Sequence, residues 1–455
     1  MLRQLLDRVG DRLGRRPPLA AVPAAATPAA ATQAAPAASP LALADAESAP
    51  AAGWIGIGAR RPLLSPRGEV AGFEFRVADA LMRRADAAAQ AAHAVALLTA
   101  MQVTARSGRI SLAELPPAWL LKPQVPALLA PGMLVGLRLD PAAPDPAMRR
   151  QAVQLLRDGG ARVGWPAGAR GESIDASDLL PDFVLLRPQA HTPVAAMLRA
   201  TQSTASHYPE LGLVATDLPN LDDLELALRL GVHYAAGSVS AASEPASAPQ
   251  IAPAVQRVCQ LLNHLVRDED IGAIAAEIKR DAGLSLQLLR HVGSVRYSRG
   301  RSIDSVEAAV MVVGRDELYR WLSLVLVRSA GGRPTSRALQ EVTVARARLL
   351  ELLAARRGER HPAGFFTLGL ASMLPVLLNT SAAAALMPLD LGPTARAALL
   401  EQGGPWRMYL QLAIALEHHD LDATARFADE FGGLPAVLEC AEQAWAWTAE
   451  MEAER

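Results

Sequence analysis

The run His418-His419-Asp420 sets two imidazoles beside a carboxylate, side-chain types that hold catalytic divalent metals when further histidines and acids converge on them. No partnered His and Asp surround this run, only 35 residues follow it, and it closes the predicted helix 408–417. Its expected roles are local. Histidines near a helix C-terminus meet the negative end of the helix dipole, and Asp420 is placed to cap a following helix from Ala423 onward. The two cysteines, Cys259 and Cys440, are far apart and lack metal-ligand spacing, so they are expected as core thiols in a reducing compartment.

The elements that must carry such residues follow from composition and periodicity. The chain has 455 residues, 51% of them apolar, which is enough for two domains, each with its own core. The net charge of −1 is a balanced mixture of signs, and it argues against a nucleic-acid or other polyanion partner. Only Lys122 and Lys279 are lysines; the arginine excess reads as coding bias. No apolar run reaches the ~20 residues of a membrane helix and no signal-peptide block opens the chain, so a cytoplasmic location without an integral membrane segment is expected.

Residues 1–16 form an Arg-rich amphipathic pattern with Leu2, Leu5, Leu6, Val9 and Leu13 on one stripe, read as a frayed terminal helix, with a membrane or partner anchor as the alternative. Residues 17–52 are an Ala/Pro tether, and 241–249 a shorter Ala/Ser/Pro/Glu linker. Between them, in 53–240, strand-like runs at 68–77, 134–139, 162–164, 183–186 and 212–215 alternate with helical segments at 77–105, 146–159 and 220–230. That alternation predicts parallel strands with crossover helices. From 250 to 455 helix succeeds helix, at 252–267, 271–282, 285–292, 302–313, 316–329 and 337–355, so this half is predicted to be all-α.

The segment 59–78, ARRPLLSPRGEVAGFEFRVA, resembles the opening strand pair of EAL domains, the TIM-barrel phosphodiesterases of cyclic di-GMP. Weaker likenesses follow in order at 109–112, 135–140 and 230–237. The resemblance implies acidic residues at several strand ends, holding two divalent cations that activate water. Most are replaced. Glu74 stands at the first glutamate, Ala78 at the phosphate-binding arginine, Ser111 at the metal-binding asparagine and Arg138 at the second glutamate. The Asp-Asp-Phe-Gly signature is absent at 163–166, and Arg187 closes the strand that bears the family's lysine. Asp217 is expected as a cap or turn residue, with a displaced metal ligand as the alternative.

Glu74 alternates onto one strand face with Gly72 and Arg76, and an ion pair between Glu74 and Arg76 inside the lumen is expected. About 190 residues separate the linkers, against ~250 for a full barrel, so a truncated barrel with an open edge is expected.

The second half resembles HDOD, a helical domain related to HD phosphohydrolases but without their catalytic residues. The likeness lies in Asp281 to Ser294, in Ile303 to Val310 with Gly314, and in 365–374, where Ser372-Met373 occupy the place of the metal-binding His-Asp pair. The closing helix 435–451 is expected to pack through Trp445 and Trp447. The combined resemblance covers about 54–450 and implies a degenerate, non-enzymatic bacterial signalling scaffold, without cofactor or metal, that contacts other signalling proteins. The alternative is a cyclic di-GMP receptor that binds without hydrolysis, with Glu74, Arg76 and Arg138 as candidate ligand contacts. An active cyclic di-GMP phosphodiesterase is the third and least favoured reading.

Overall fold

The computed structural model describes residues 60–76, 86–138, 145–166, 181–188, 193–205, 211–240, 251–293 and 305–453. The amphipathic segment 1–16, the tether 17–52, the linker 241–249 and Ala78 lie outside the described residues.

Eight strands form the first module: β1 (Arg60–Leu64), β2 (Val70–Phe75), β3 (Ile110–Leu115), β4 (Met133–Leu137), β5 (Arg162–Pro166), β6 (Phe183–Leu186), β7 (Gly212–Leu218) and β8 (Tyr234–Gly237). They close in sequence order. All neighbours are parallel except β1, which runs antiparallel to both β2 and β8. The expected open edge is not found, because Leu64 pairs with Ala235 and joins the first strand to the last. The strands, four to seven residues each, are of ordinary length; the described connections that are reduced are the β1–β2 hairpin and the β3–β4 crossover, which holds only the short helices Pro117–Leu120 and Pro126–Leu128.

The lumen is packed by Leu63, Ile110, Leu112, Leu134, Phe183, Leu185, Val214, Tyr234 and Ala236. A Cβ on Gly164 would lie 2.2 Å from the Phe183 ring, so that ring fills the place where β5 has no side chain.

The crossover helices start where capping chemistry starts them. Asp145 accepts from the Met148 amide ahead of Pro146–Asp158, with proline at the first position. Asn220 accepts from the Asp223 amide at 2.8 Å ahead of Leu221–Arg229, which has Asp222 and Asp223 in the first turn and Arg229 in the last. The predicted helix 77–105 corresponds to Ala87–Arg106.

The second half is helical, with helices at Pro253–Val266, Ile271–Lys279, Ala282–Gly293, Val306–Val313, Arg315–Ser329, Ser336–Arg357 and Pro362–Leu377, followed by shorter ones and the closing helix Leu434–Ala453. The helix Ser336–Arg357 ends on Gly358, whose φ of 78° is the left-handed conformation that stops a helix cheaply at glycine. Trp447 meets the Phe366 ring edge-on at 6.1 Å, so the closing helix does pack through its tryptophan. Cys259 and Cys440 are both buried thiols, and burial pushes Cys259 up to about 11.

The long helices Ser336–Arg357 and Pro362–Leu377 touch at the backbone, where a Cβ on Gly369 would lie 2.5 Å from the Cα of Ala347. Gly369→Val is therefore expected to force them apart at a cost of about 2–3 kcal/mol, or about 4–12 °C for a unit of this size, measurable by thermal denaturation.

Residue contacts divide the chain into two compact units. Of the described residues, one unit holds those up to Val239 together with 415–439, and the other holds those of 240–414 with 440–453. The segment 415–439, predicted as part of the helical half, thus groups with the barrel.

Candidate functional site at the barrel mouth

Period-two alternation carries each lumenal face one step past the apolar core to the end where the parallel strands finish. On β1, which enters at that end, the step from Leu63 reaches Arg61. On the others it runs from Gly72 to Glu74, Leu112 to Glu114, Leu134 through Gly136 to Arg138, Leu185 to Arg187 and Val214 to Thr216. The mouth is lined with charge.

These groups are joined to one another. Arg61, 3% exposed, donates from Nε at 2.9 Å and from its terminal nitrogen at 2.5 Å to Glu74 Oε2. The same terminal nitrogen reaches Asp217 Oδ1 at 3.0 Å. Arg76 grips Asp217 at 2.8 and 2.6 Å, and Arg187 Nε lies 3.1 Å from Asp217 Oδ2. Arg187 also donates to Glu114 Oε2 at 2.8 Å and to the Thr216 hydroxyl at 3.2 Å. Arg138 stands 3.6 Å from Glu114. Four guanidiniums and three carboxylates thus make one continuous network.

The electrostatics follow from that sharing. Burial works against the Arg61 cation, but Glu74 and Asp217 more than offset it, so its pKa lies above the ordinary guanidinium value. Burial would raise the Asp217 carboxyl, but Arg61, Arg76 and Arg187 together hold it below the usual carboxylate range.

Sequence reasoning named Glu74, Arg76 and Arg138, and all three line one small recess, of about 10 Å³, with Glu114 and Arg187. The expected Glu74–Arg76 pair is replaced by two others. β1 and β2 pair Arg61 directly opposite Glu74, whereas Arg76 lies one residue past β2 and turns to Asp217. Asp217 does not cap a helix, a role Asn220 fills. It sits at φ 59°, where the pairing of β7 with β8 shifts register between Ala215 and Leu218, and that irregularity aims it at the arginines. Ser111, read as standing at a metal-binding asparagine, faces away from the lumen, since Ile110 and Leu112 on either side belong to the lumenal core. Arg61, Glu114 and Arg187 were missed as members of the site. The signal for them was the inward face of each strand, continued one step.

A divalent ion does not fit this arrangement. Among the described residues every carboxylate at the mouth already serves guanidinium donors, and cationic groups stand beside them. Among the described residues no group of three or more His, Cys, Asp or Glu is placed to hold a metal. In the helical unit the Ser372 hydroxyl donates to the Gly369 carbonyl and accepts from Arg346, while Met373 is buried in the core.

The turn 418–420 also belongs to the barrel unit. His418 Nε2 lies 2.8 Å from the hydroxyl of Ser238, immediately beyond β8, and Asp420 accepts from the Ala423 amide as predicted. His419 is 5% exposed, and neither ring nitrogen has a partner.

A closed α/β barrel with its polar groups at the C-terminal strand ends, followed by a helical bundle, defines a two-module chain of the TIM-barrel-like and HDOD-like classes. Residues 248–385 match the model of the HDOD domain. The chain is 26% identical over 191 residues to the uncharacterised protein YuxH of Bacillus subtilis, a match covering 41% of this chain and 46% of that protein. It is 28% identical over 178 residues to the cyclic di-GMP phosphodiesterase CdgJ of Vibrio cholerae, covering 39% of this chain and 40% of that one. The matched stretches therefore span less than half of either relative. Among solved structures, an EAL domain protein from Listeria monocytogenes aligns over 39% of this chain and 84% of its own, with 12% identity and a TM-score of 0.31. Among the described residues no helix is long and apolar enough to cross a membrane.

Proposed function

We propose that this chain is a non-enzymatic adaptor in bacterial cyclic di-GMP signalling that works through protein contacts. The observation that carries the reading is the mouth network, in which Glu74, Glu114 and Asp217 are each held by arginines where a metal-dependent hydrolase needs free acids. The HDOD match and the named activity of the Vibrio relative support the signalling context.

The helical unit offers apolar side chains for such contacts. Leu286 on the helix Ala282–Gly293, and Met311 and Val312 on its packing neighbour Val306–Val313, are 52%, 69% and 51% exposed. Isolated exposed apolar residues are ordinary, but three on neighbouring helices suit a contact patch. Full-length protein used as bait in native lysate is expected to retain a signalling protein, and Leu286→Glu with Met311→Glu should reduce that recovery at least tenfold with the fold intact. Recovery of no partner by the wild-type chain would count against the adaptor.

A second reading, a receptor that binds cyclic di-GMP without cleaving it, is favoured by Arg138 and Arg187, about one-third exposed at the rim of the recess, because guanidiniums suit phosphate. Calorimetry with the dinucleotide, repeated on Arg138→Ala, separates the two. The adaptor reading expects no heat of binding at high micromolar nucleotide.

A further inference from the structure

We propose that the turn His418–His419–Asp420 is an acid-released plug of the barrel mouth. The inference goes beyond the adaptor reading and stands or falls independently of it. It rests first on position. The turn joins the helix Arg407–Glu417 to the helix Leu421–Ala428, His418 is tied to Ser238 at the end of β8, and His419 is buried beside the charges of the mouth.

Three unfavourable features meet at His419. Its backbone is left-handed, with φ 55°, a conformation a non-glycine residue adopts at a cost. Its ring is almost wholly buried. Both ring nitrogens lack a hydrogen-bond partner, although buried polar groups are ordinarily satisfied. A residue placed only to fill space gains nothing from an imidazole here, since a leucine would bury the same volume without two orphaned nitrogens.

The charged groups near enough to act electrostatically on this ring are Arg61 from β1, Arg76 from the end of β2 and Asp217 from β7. On its own turn, Asp420 is committed to the Ala423 amide. Asp217 is already shared among three arginines and has little to offer an imidazolium. A proton on His419 would therefore add a buried cation beside two others. Burial first, and then Arg61 and Arg76, hold its pKa well below the ordinary histidine value, with Asp217 opposing.

The sign of the linkage follows. In the released turn the imidazole returns to about 6.5. The released state thus binds more protons than the docked state at pH values between about 6.5 and the depressed docked value. Docking is at full strength above about 6.5 and weakens as pH falls, by up to about tenfold per unit for one proton.

Hydrogen exchange of the full chain, followed in peptides covering 415–431 and corrected for the intrinsic pH dependence of exchange, reads this directly. The corrected opening constant is expected to rise about tenfold per pH unit between pH 6 and 5, to stay flat in His419→Gln, and to keep the wild-type response in His418→Gln. A flat wild-type profile overturns the proposal, as does a His419→Gln profile that rises like the wild type. Should His419→Gln misfold, the His419 ring resonance in the wild-type chain decides: a midpoint well below 6.5 is required, and an ordinary midpoint overturns the plug.

Discussion

Glu74→Ala is expected to lower the stability of the barrel unit by about 3–5 kcal/mol, the largest effect of any single substitution at the mouth. The reason is the partner left behind. Arg61 is 3% exposed and gives Glu74 two of its three carboxylate contacts, so removing the acid leaves a buried cation that Asp217 alone must balance. The companion variant, Arg61→Met with Glu74→Leu, removes both charges and fills the same space with apolar atoms. It should recover most of the loss, because deleting a buried pair together costs far less than orphaning one member. Hydrogen exchange in β1 and β2 peptides across a urea series resolves the barrel transition from that of the helical unit. If Glu74→Ala were as stable as the wild type, the pair would not be structural.

The second large effect is expected at Asp217. Asp217→Ala leaves Arg61, Arg76 and Arg187 without their shared carboxylate. Because Asp217 is about one-third exposed, water screens part of the repulsion, and about 1–2 kcal/mol is expected instead of the full cost of a buried charge. Asp217→Asn isolates the charge, since asparagine tolerates the left-handed backbone at φ 59° while alanine does not. Repulsion among the arginines is screened by ions, so both variants should regain stability with added salt and the wild type should not.

The acid limb of the wild-type profile follows from the same carboxylate. The folded pKa of Asp217 is depressed, so its contribution is complete above about 4 and is lost as pH falls through the depressed value. Urea titrations of wild type and Asp217→Asn at pH 5 and pH 3 should therefore converge at the lower pH.

Much of the architecture is legible in the chain because it is local. The hairpin of β1 and β2, the alternation of strands and helices, the all-α second half and the cap at Asp420 are each set by residues within a few positions of one another. The site is less legible because its bonds are not local. Arg61 meets Asp217 across 156 positions and Arg76 meets it across 141, and no periodicity announces such pairs. The Glu74–Arg76 expectation failed on register: which arginine faces Glu74 depends on how β1 lies against β2, and whether Arg76 turns inward depends on where β2 stops. Asp217 was hidden by a register shift that changes the direction of one side chain. Closure of the barrel was obscured by judging strand number from length, when two connections are reduced to a hairpin and to a crossover of two short helices.

In the adaptor proposed above, arginines at the mouth pair the acids that a metal-dependent hydrolase would leave free. Incubation of the full chain with cyclic di-GMP and Mg²⁺ or Mn²⁺, analysed for linear dinucleotide, tests it most directly. The account predicts no product above the metal-and-buffer control. Metal-dependent turnover that disappears in Glu74→Gln would contradict it.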